Sequence, residues 1–463
     1  MSAPVMGDAR AEHEPESGPR SPADAEAPLI LDTAPPRTLG FRDQAAFWAN
    51  LGVSLLGFSG ALAVLAPAGY PQLSMIAAIV AAVGGTLIGT LMVAVAGIPG
   101  ARSGAPAMTV LRGLLGTKIS YVPTVFNIVQ CIGWGTFELF VISMGIEAMT
   151  DGDGPHWLYI VAAGTVTTAM TLRPLGMLRI LRRYVTIAVG IAMLYFTIQL
   201  WREGLPPMTQ GSWSGFFPAM DAALAVAVSW VPLASDYTRH SRGTKSAFWA
   251  TLSGFSVTSI WCYLLGLVAI AQAGGDADKI FDSFLGVTAG WVFFAVLVVR
   301  EVDQSFANVY STAMSIQNLA PRVDRRVLCL GVGALVTGFA LLVDDFSTYA
   351  NFLSLIGSVF IPLLGVLAMD LFAGRGRAGW DLGDHAPARW VMLVPWALGF
   401  CMYQLINPGT VDWWAKFWGH IQDATHIHAQ TWTSASLFSF AVAGATAFLA
   451  VRWDGRRAVA ARG

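Results

Sequence analysis

Asn127, Gln130, Trp134 and Glu138 recur at intervals of three and four residues, so a helix would carry all of them on one face. An indole ring stacks on a planar heterocycle, and amide and carboxyl groups one turn away read the donors and acceptors along its edge. That chemistry suits a nucleobase. A polar stripe that only glues helices together is the competing reading, and it fits Asn127 alone. Glu138 demands more, because a carboxyl in an apolar helix is expensive and marks a substrate contact, an ion path or a proton relay.

Glu301, Gln304, Asn308, Ser311, Thr312 and Ser315 fall within a second narrow helical sector. The hydroxyls of Ser311 and Thr312, with an oxygen of Asn308, suit a small hard cation such as sodium if a broken helix nearby releases backbone carbonyls. Hydroxyls that bond back to their own helix are the alternative. Arg300, Glu301 and Asp303 form a charged cluster that must pair internally or meet water. An Arg300–Asp303 pair is plausible on i,i+3 spacing, and a purely structural role stays open.

These groups need membrane helices to hold them. Of 463 residues, 55% are hydrophobic and 12% charged, about half the charge of an ordinary soluble domain. The expectation is an all-α polytopic membrane protein. Apolar runs near the ~20-residue length of a spanning helix begin at Ala45, and twelve are expected: 45–66, 73–97, 121–149, 156–172, 184–201, 219–238, 246–272, 287–318, 327–343, 346–372, 390–407 and 432–453. Span 1 contains Gly57-Phe58-Ser59-Gly60 and span 6 contains Ser229-Trp230-Val231-Pro232. Both read as mid-membrane interruptions whose freed backbone must be buried or line a wet cavity. Breaks five spans apart predict two inverted five-helix repeats with the ligand between them.

One set of alternate loops holds sixteen Lys or Arg, whereas the other holds only Arg202, Lys279 and Lys416. The positive-inside rule then puts both termini in the cytoplasm of a cell-membrane protein. Residues 1–42 read as a disordered cytoplasmic tail, 43–373 as the transporter core, 374–453 as helices 11 and 12, and 454–463 as a second tail. A net charge of −1 gives no footprint for nucleic acid. Cys131, Cys262, Cys329 and Cys401 stand singly in apolar stretches, as small buried hydrophobes do. Asp151-Gly152-Asp153-Gly154 lacks the remaining ligands of a calcium loop, and His420, His426 and His428 read as solvated loop residues. No catalytic or cofactor motif stands out, so no enzyme activity and no cofactor are expected.

At these positions the chain resembles nucleobase-cation symporter family one, which includes cytosine, purine-cytosine and hydantoin permeases. The likeness runs over roughly residues 45–453. It rests on Pro99-Gly100-Ala101-Arg102-Ser103-Gly104 with Arg112, on Asn127, Cys131, Gly133 and Trp134, on Trp230 with Asp236-Tyr237-Thr238, and on Asn308, Tyr310, Ser311, Ser315 and Gln317. The resemblance implies a leucine-transporter fold and alternating-access symport of a nucleobase-like solute with sodium or a proton. It implies stacking on Trp134, a pocket completed by Glu138, Ser229 and Trp230 with Gln317 at a substrate-contacting amide position, and a cation site at Asn308, Ser311 and Thr312. Gln130, by its place on the span 3 face, and Gly57 and Ser59, by the span 1 interruption, are expected to line the same pocket. Glu138 stands where an amide is common in the family. A same-fold transporter of amino acids or other polar solutes, or a non-transporting sensor, are the alternatives.

Overall fold

The computed structural model describes residues 26–180, 184–274, 280–343 and 349–460, and among them the protein is helical with no strand beyond two isolated bridges. In chain order the helices are α1 Phe41–Leu51, α2 Leu55–Leu65, α3 Met75–Ser103, α4 Ala107–Leu115, α5 Thr117–Met149, α6 His156–Thr171, α7 Pro174–Ile180, α8 Thr186–Arg202 and α9 Phe216–Val228. They continue as α10 Ala234–Thr238, α11 Thr244–Gln272, α12 Ile280–Leu285, α13 Gly290–Leu319, α14 Arg325–Ala340, α15 Tyr349–Ala373, α16 Leu393–Ile406, α17 Asp412–Thr425 and α18 Ala435–Ala460. Each expected apolar run contains a helix. Six of the spans are long and apolar enough to cross a membrane by length and composition, and the α1–α2 pair, bent by 56°, adds a seventh. α13 is 30 residues long but carries Arg300, Glu301 and Asp303 in its first half.

The first break lies at residues 52–54, not at Gly57–Gly60 as the glycines suggest. Ser54 caps α2 by accepting from Leu56 N, 3.1 Å away, and the Glu301 carboxyl accepts from Leu55 N at 3.1 Å and from Ser54 Oγ at 2.7 Å. A new helix can start there because its orphan N–H groups have buried acceptors. Gly57 and Gly60 sit inside α2, where they bring it close to α11: a Cβ on Gly57 would stand 3.2 Å from Cys262 Sγ.

Gly52 is the glycine that the break needs. A Cβ there would fall 2.7 Å from the Phe255 carbonyl oxygen and 2.2 Å from Thr258 Oγ1, both on α11. The threonine can rotate, but the carbonyl of a helix cannot. Gly52→Ala should therefore push α1 off α11 at a cost of about 1–3 kcal/mol. The check is a lowered midpoint of thermal unfolding in detergent, with Gly419→Ala, where no atom lies within reach of a new Cβ, as a comparison.

The second break matches expectation. α9 ends at Val228, a 3-10 turn covers Val231–Leu233, and α10 resumes at Ala234. Small residues on α3 hold this broken span: Gly85 and Gly89 lie against Met220, Ala223, Leu224 and Ala227 of α9, and Gly97 and Gly100 against Thr238 and Ser235 of α10. Without a hydrophobic drive between helices in lipid, such close approach supplies the packing. Ser235 Oγ donates to Ala96 O (2.9 Å) and accepts from Gly100 N (3.1 Å).

The segment before α1 also departs from expectation. Residues 1–25 lie outside the described residues, but 26–40 run as an ordered strap across the arginine-rich end of the bundle. Glu26 accepts from Leu175 N and Gly176 N, Leu29 O accepts from Arg325 N and Gln317 Nε2, and Arg37 donates to Ala101 O. His240 Nδ1 donates to Pro36 O at 3.0 Å. Burial, with Arg239 beside it, pushes this histidine down to about 3, so it is neutral at ordinary pH. The strap has no hydrophobic periodicity, and it is held by polar groups that helix ends leave unsatisfied. At the other terminus α18 continues to Ala460, through most of the segment expected to be a tail.

Candidate functional site

Both breaks open on one cavity. It is a narrow space of about 30 Å³, lined by Leu51, Gly52, Ser54, Leu56 and Gly57 at the first break, and by Val226, Ser229, Trp230 and Leu233 at the second. Trp134 and Glu138 of α5, Phe255 and Ser259 of α11, and Gln304 and Asn308 of α13 complete the wall. The lining is mostly apolar with a few convergent polar groups, as small-molecule sites require.

The two tryptophans are held from behind by other rings. Trp134 meets Phe352 edge-on with centroids 5.5 Å apart, and Trp230 meets Trp48 edge-on at 6.4 Å. Trp48 in turn touches Phe255 and Tyr237. Such edge-to-face contacts fix ring orientation. Glu138 is 3% exposed, and its Oε2 has no hydrogen-bond partner among the described residues.

The polar stripe on α5 divides. Trp134 and Glu138 face the cavity, whereas Gln130 Nε2 donates to Asn127 Oδ1 (2.7 Å) and Asn127 Nδ2 donates to Ser315 Oγ of α13 (2.8 Å). Asn127 thus ties α5 to α13, and Gln130 braces Asn127; neither lines the cavity. Gln317 lies further from it still, with its amide donating to Leu29 O and Val323 O, each at 2.7 Å. Gly57 lines the cavity, and the side chain of Ser59 lies outside the described residues.

The oxygens expected to hold a cation are arranged differently from the expectation. Thr312 Oγ1 donates to Asn308 O at 2.8 Å, and Ser311 Oγ lies 3.4 Å from the Tyr237 hydroxyl of α10. Only Asn308 of the three lines the cavity. Facing the first break instead are Arg300, Glu301 and Gln304, one to two turns earlier on α13. Ser311 shares a helix face with Gln304 but stands seven residues, about 10 Å, further along the axis, beyond the level of the break. Phe255 and Ser259 were missed from sequence because α11 carries no polar stripe that would mark a lining face.

The arginine-rich end of the bundle is closed by a separate network. Asp236 Oδ1 accepts from Ala107 N at the start of α4 (2.8 Å), so it caps a neighbouring helix. Arg112 donates from Nε to Asn318 Oδ1 (2.6 Å) and from Nη2 to Asn318 O (2.8 Å), and it pairs with Asp384. Asn318 reaches back to Thr124 Oγ1 at 2.9 Å.

Residues 36–381, three quarters of the chain, match the family model described as permease for cytosine/purines, uracil, thiamine, allantoin. The chain belongs to that family. It is a multi-pass membrane transporter, not an enzyme. This permease is 22% identical to YxlA of Bacillus subtilis (strain 168), over 71% of its own length and 77% of the relative's. It is also 22% identical to the purine-cytosine permease FCY2 of Saccharomyces cerevisiae, over 65% of its own length and 63% of that protein's. Its fold is that of Mhp1, a nucleobase-cation-symport-1 family transporter solved in a closed conformation with bromovinylhydantoin bound. The TM-score is 0.70, at 15% identity, over 94% of this permease and 96% of Mhp1. The expected leucine-transporter architecture, with its broken helices, is therefore present.

Proposed function

We propose that this permease imports a nucleobase or a related planar heterocycle across the cell membrane by cation symport with alternating access. The observation that carries the reading is the shared cavity, where Trp134, Trp230 and Glu138 meet the backbone of both helix breaks. Trp134 offers a stacking face, Glu138 reads the edge of the ring, and Ser229, Gln304 and Asn308 supply further polar contacts. The relatives and Mhp1 support this chemistry through what their names say they carry or bind. Sixteen basic residues against three in alternate loops support twelve spans with both termini cytoplasmic. On that orientation the strap of residues 26–40 and the Arg112–Asn318 network form the cytoplasmic closure, residues 43–373 are the transporting core, and α16 and α18 are peripheral.

Uptake of radiolabelled cytosine, uracil, purines and hydantoins into proteoliposomes, with amino acids as competitors, tests the reading. Saturable uptake of a heterocycle that other heterocycles block and amino acids do not is the expected outcome. Competition by amino acids alone would refute it. Glu138→Gln keeps the shape but replaces an acid with an amide, whose NH2 can only donate and whose oxygen can only accept. The order of preference among the bases should change by about tenfold for at least one pair, since a mismatched buried hydrogen bond costs ~1–3 kcal/mol. An unaltered order of preference would remove Glu138 from the substrate edge.

A further inference from the structure

The carbonyls at the first break already have donors. In sodium-binding broken helices such oxygens serve as ligands. Here Gln304 Nε2 donates to Leu51 O (3.0 Å) and Val53 O (3.2 Å), and Arg300 Nη2 donates to Asn50 O. Arg300 and Gln304 stand one turn apart on α13, so one helix face supplies both donors. The Glu301 carboxylate is engaged as well: Oε1 accepts from Ser54 Oγ (2.7 Å), and Oε2 accepts from Leu55 N (3.1 Å) and Arg300 Nη1 (2.9 Å).

A sodium ion does not fit this donor set. It would have to draw lone pairs from oxygens that already meet N–H groups, beside a guanidinium that is always charged and only 2% exposed. Two like charges at such close range repel strongly where little water screens them. The hydroxyls expected to complete a sodium site are not at hand either. Ser311 lies about 10 Å beyond Gln304 along α13, and Thr312 Oγ1 is spent on Asn308 O at 2.8 Å.

We infer that Arg300, seconded by Gln304, is a tethered cation that holds the first break against α13, and that this permease moves its solute without sodium. The inference rests on the transport reading above and removes sodium from its two candidate ions. Glu301 and Asp303 flank the guanidinium at 2.9 and 3.1 Å, so the charge is compensated within α13 and no metal ion is called for. Cutting the guanidinium away would leave Asn50 O and two carboxylates facing a gap, an oxygen-only set of the kind that hard cations seek. Sensitivity to sodium should thus appear on loss of Arg300, whereas a native sodium site would show it in the wild type.

The test uses purified full-length protein at constant ionic strength. Ligand-free wild type should unfold at the same temperature in sodium and choline chloride, because a bound ion would raise the midpoint. Arg300→Ala should unfold lower than wild type. Its midpoint should rise by about 1–4 °C when sodium replaces choline, and by a similar amount in ~10 mM guanidinium chloride, which restores the missing group. In proteoliposomes, counterflow exchange of labelled heterocycles identifies what is carried without any ion gradient. An inward sodium gradient, with the membrane potential clamped, should then give no accumulation above equilibration. Sodium-driven accumulation, a sodium-dependent rise in the wild-type midpoint, or an Arg300→Ala protein indifferent to both cations would each overturn the inference. If Arg300→Ala fails to fold, the wild-type arms decide. If no heterocycle exchanges, the transport reading fails on its own, and the unfolding comparison still judges the place assigned to Arg300.

Discussion

Trp134→Ala should cut heterocycle uptake by roughly 5–150-fold, because stacking of a base on an aromatic ring is worth about 1–3 kcal/mol in alanine substitutions. The ring is 6% exposed, lines the cavity opposite the helix breaks and is braced edge-on by Phe352. Truncation removes the stacking face without touching the backbone. The variant should therefore insert and purify as the parent does, with the loss confined to binding and transport. Trp134→Phe should keep part of the activity, since a smaller aromatic face remains. Isothermal titration beside uptake checks both. Unchanged affinity in Trp134→Ala would remove the ring from the site.

Arg300→Ala should have the largest effect on the fold. It deletes the donor to Asn50 O and the counter-charge of both Glu301 and Asp303, three acceptors served by one planar fork. Removing one partner of a buried ion pair typically costs about 3–5 kcal/mol, because the survivors keep their desolvation penalty. Arg300→Lys should recover only part of that, since an ammonium is a point charge that cannot span three separate acceptors. The unfolding midpoint in detergent should fall in the order wild type, Arg300→Lys, Arg300→Ala. Equal midpoints for all three would show that the cluster contributes nothing to the folded state.

The fold was legible because lipid offers backbone groups no partners, which forces continuous apolar runs wherever the chain crosses. Every such run holds a helix, whereas the short helices Ala107–Leu115, Pro174–Ile180, Ile280–Leu285 and Asp412–Thr425 lack a run of spanning length and were not anticipated. The second break was visible as Pro232, a residue that cannot continue a helix ladder. The first was misplaced by several residues. Its determinants are a glycine chosen for close approach and a cap completed by Glu301, 246 residues further along the chain from Leu55.

The site divides on the same grounds. Trp134 and Glu138 stood out because aromatic and acidic groups at helical spacing are conspicuous in an apolar span. On α13 the polar sector itself was evident, but the level along the helix at which it meets the first break was not. Arg300, Glu301 and Gln304 stand level with the break, whereas Ser311, about 10 Å or more further along the helix, meets Tyr237. Long-range hydrogen bonds of the strap, such as Gln317 to Leu29, have no local signature at all.

The most direct measurement is a cryo-electron microscopy structure of the protein saturated with whichever heterocycle competes best for uptake. Density for a planar ring lying against Trp134, within hydrogen-bonding distance of Glu138 and between the two helix breaks, is the expected result. A ring bound outside this cavity, or one seated inside it without touching Trp134, would contradict the proposed site.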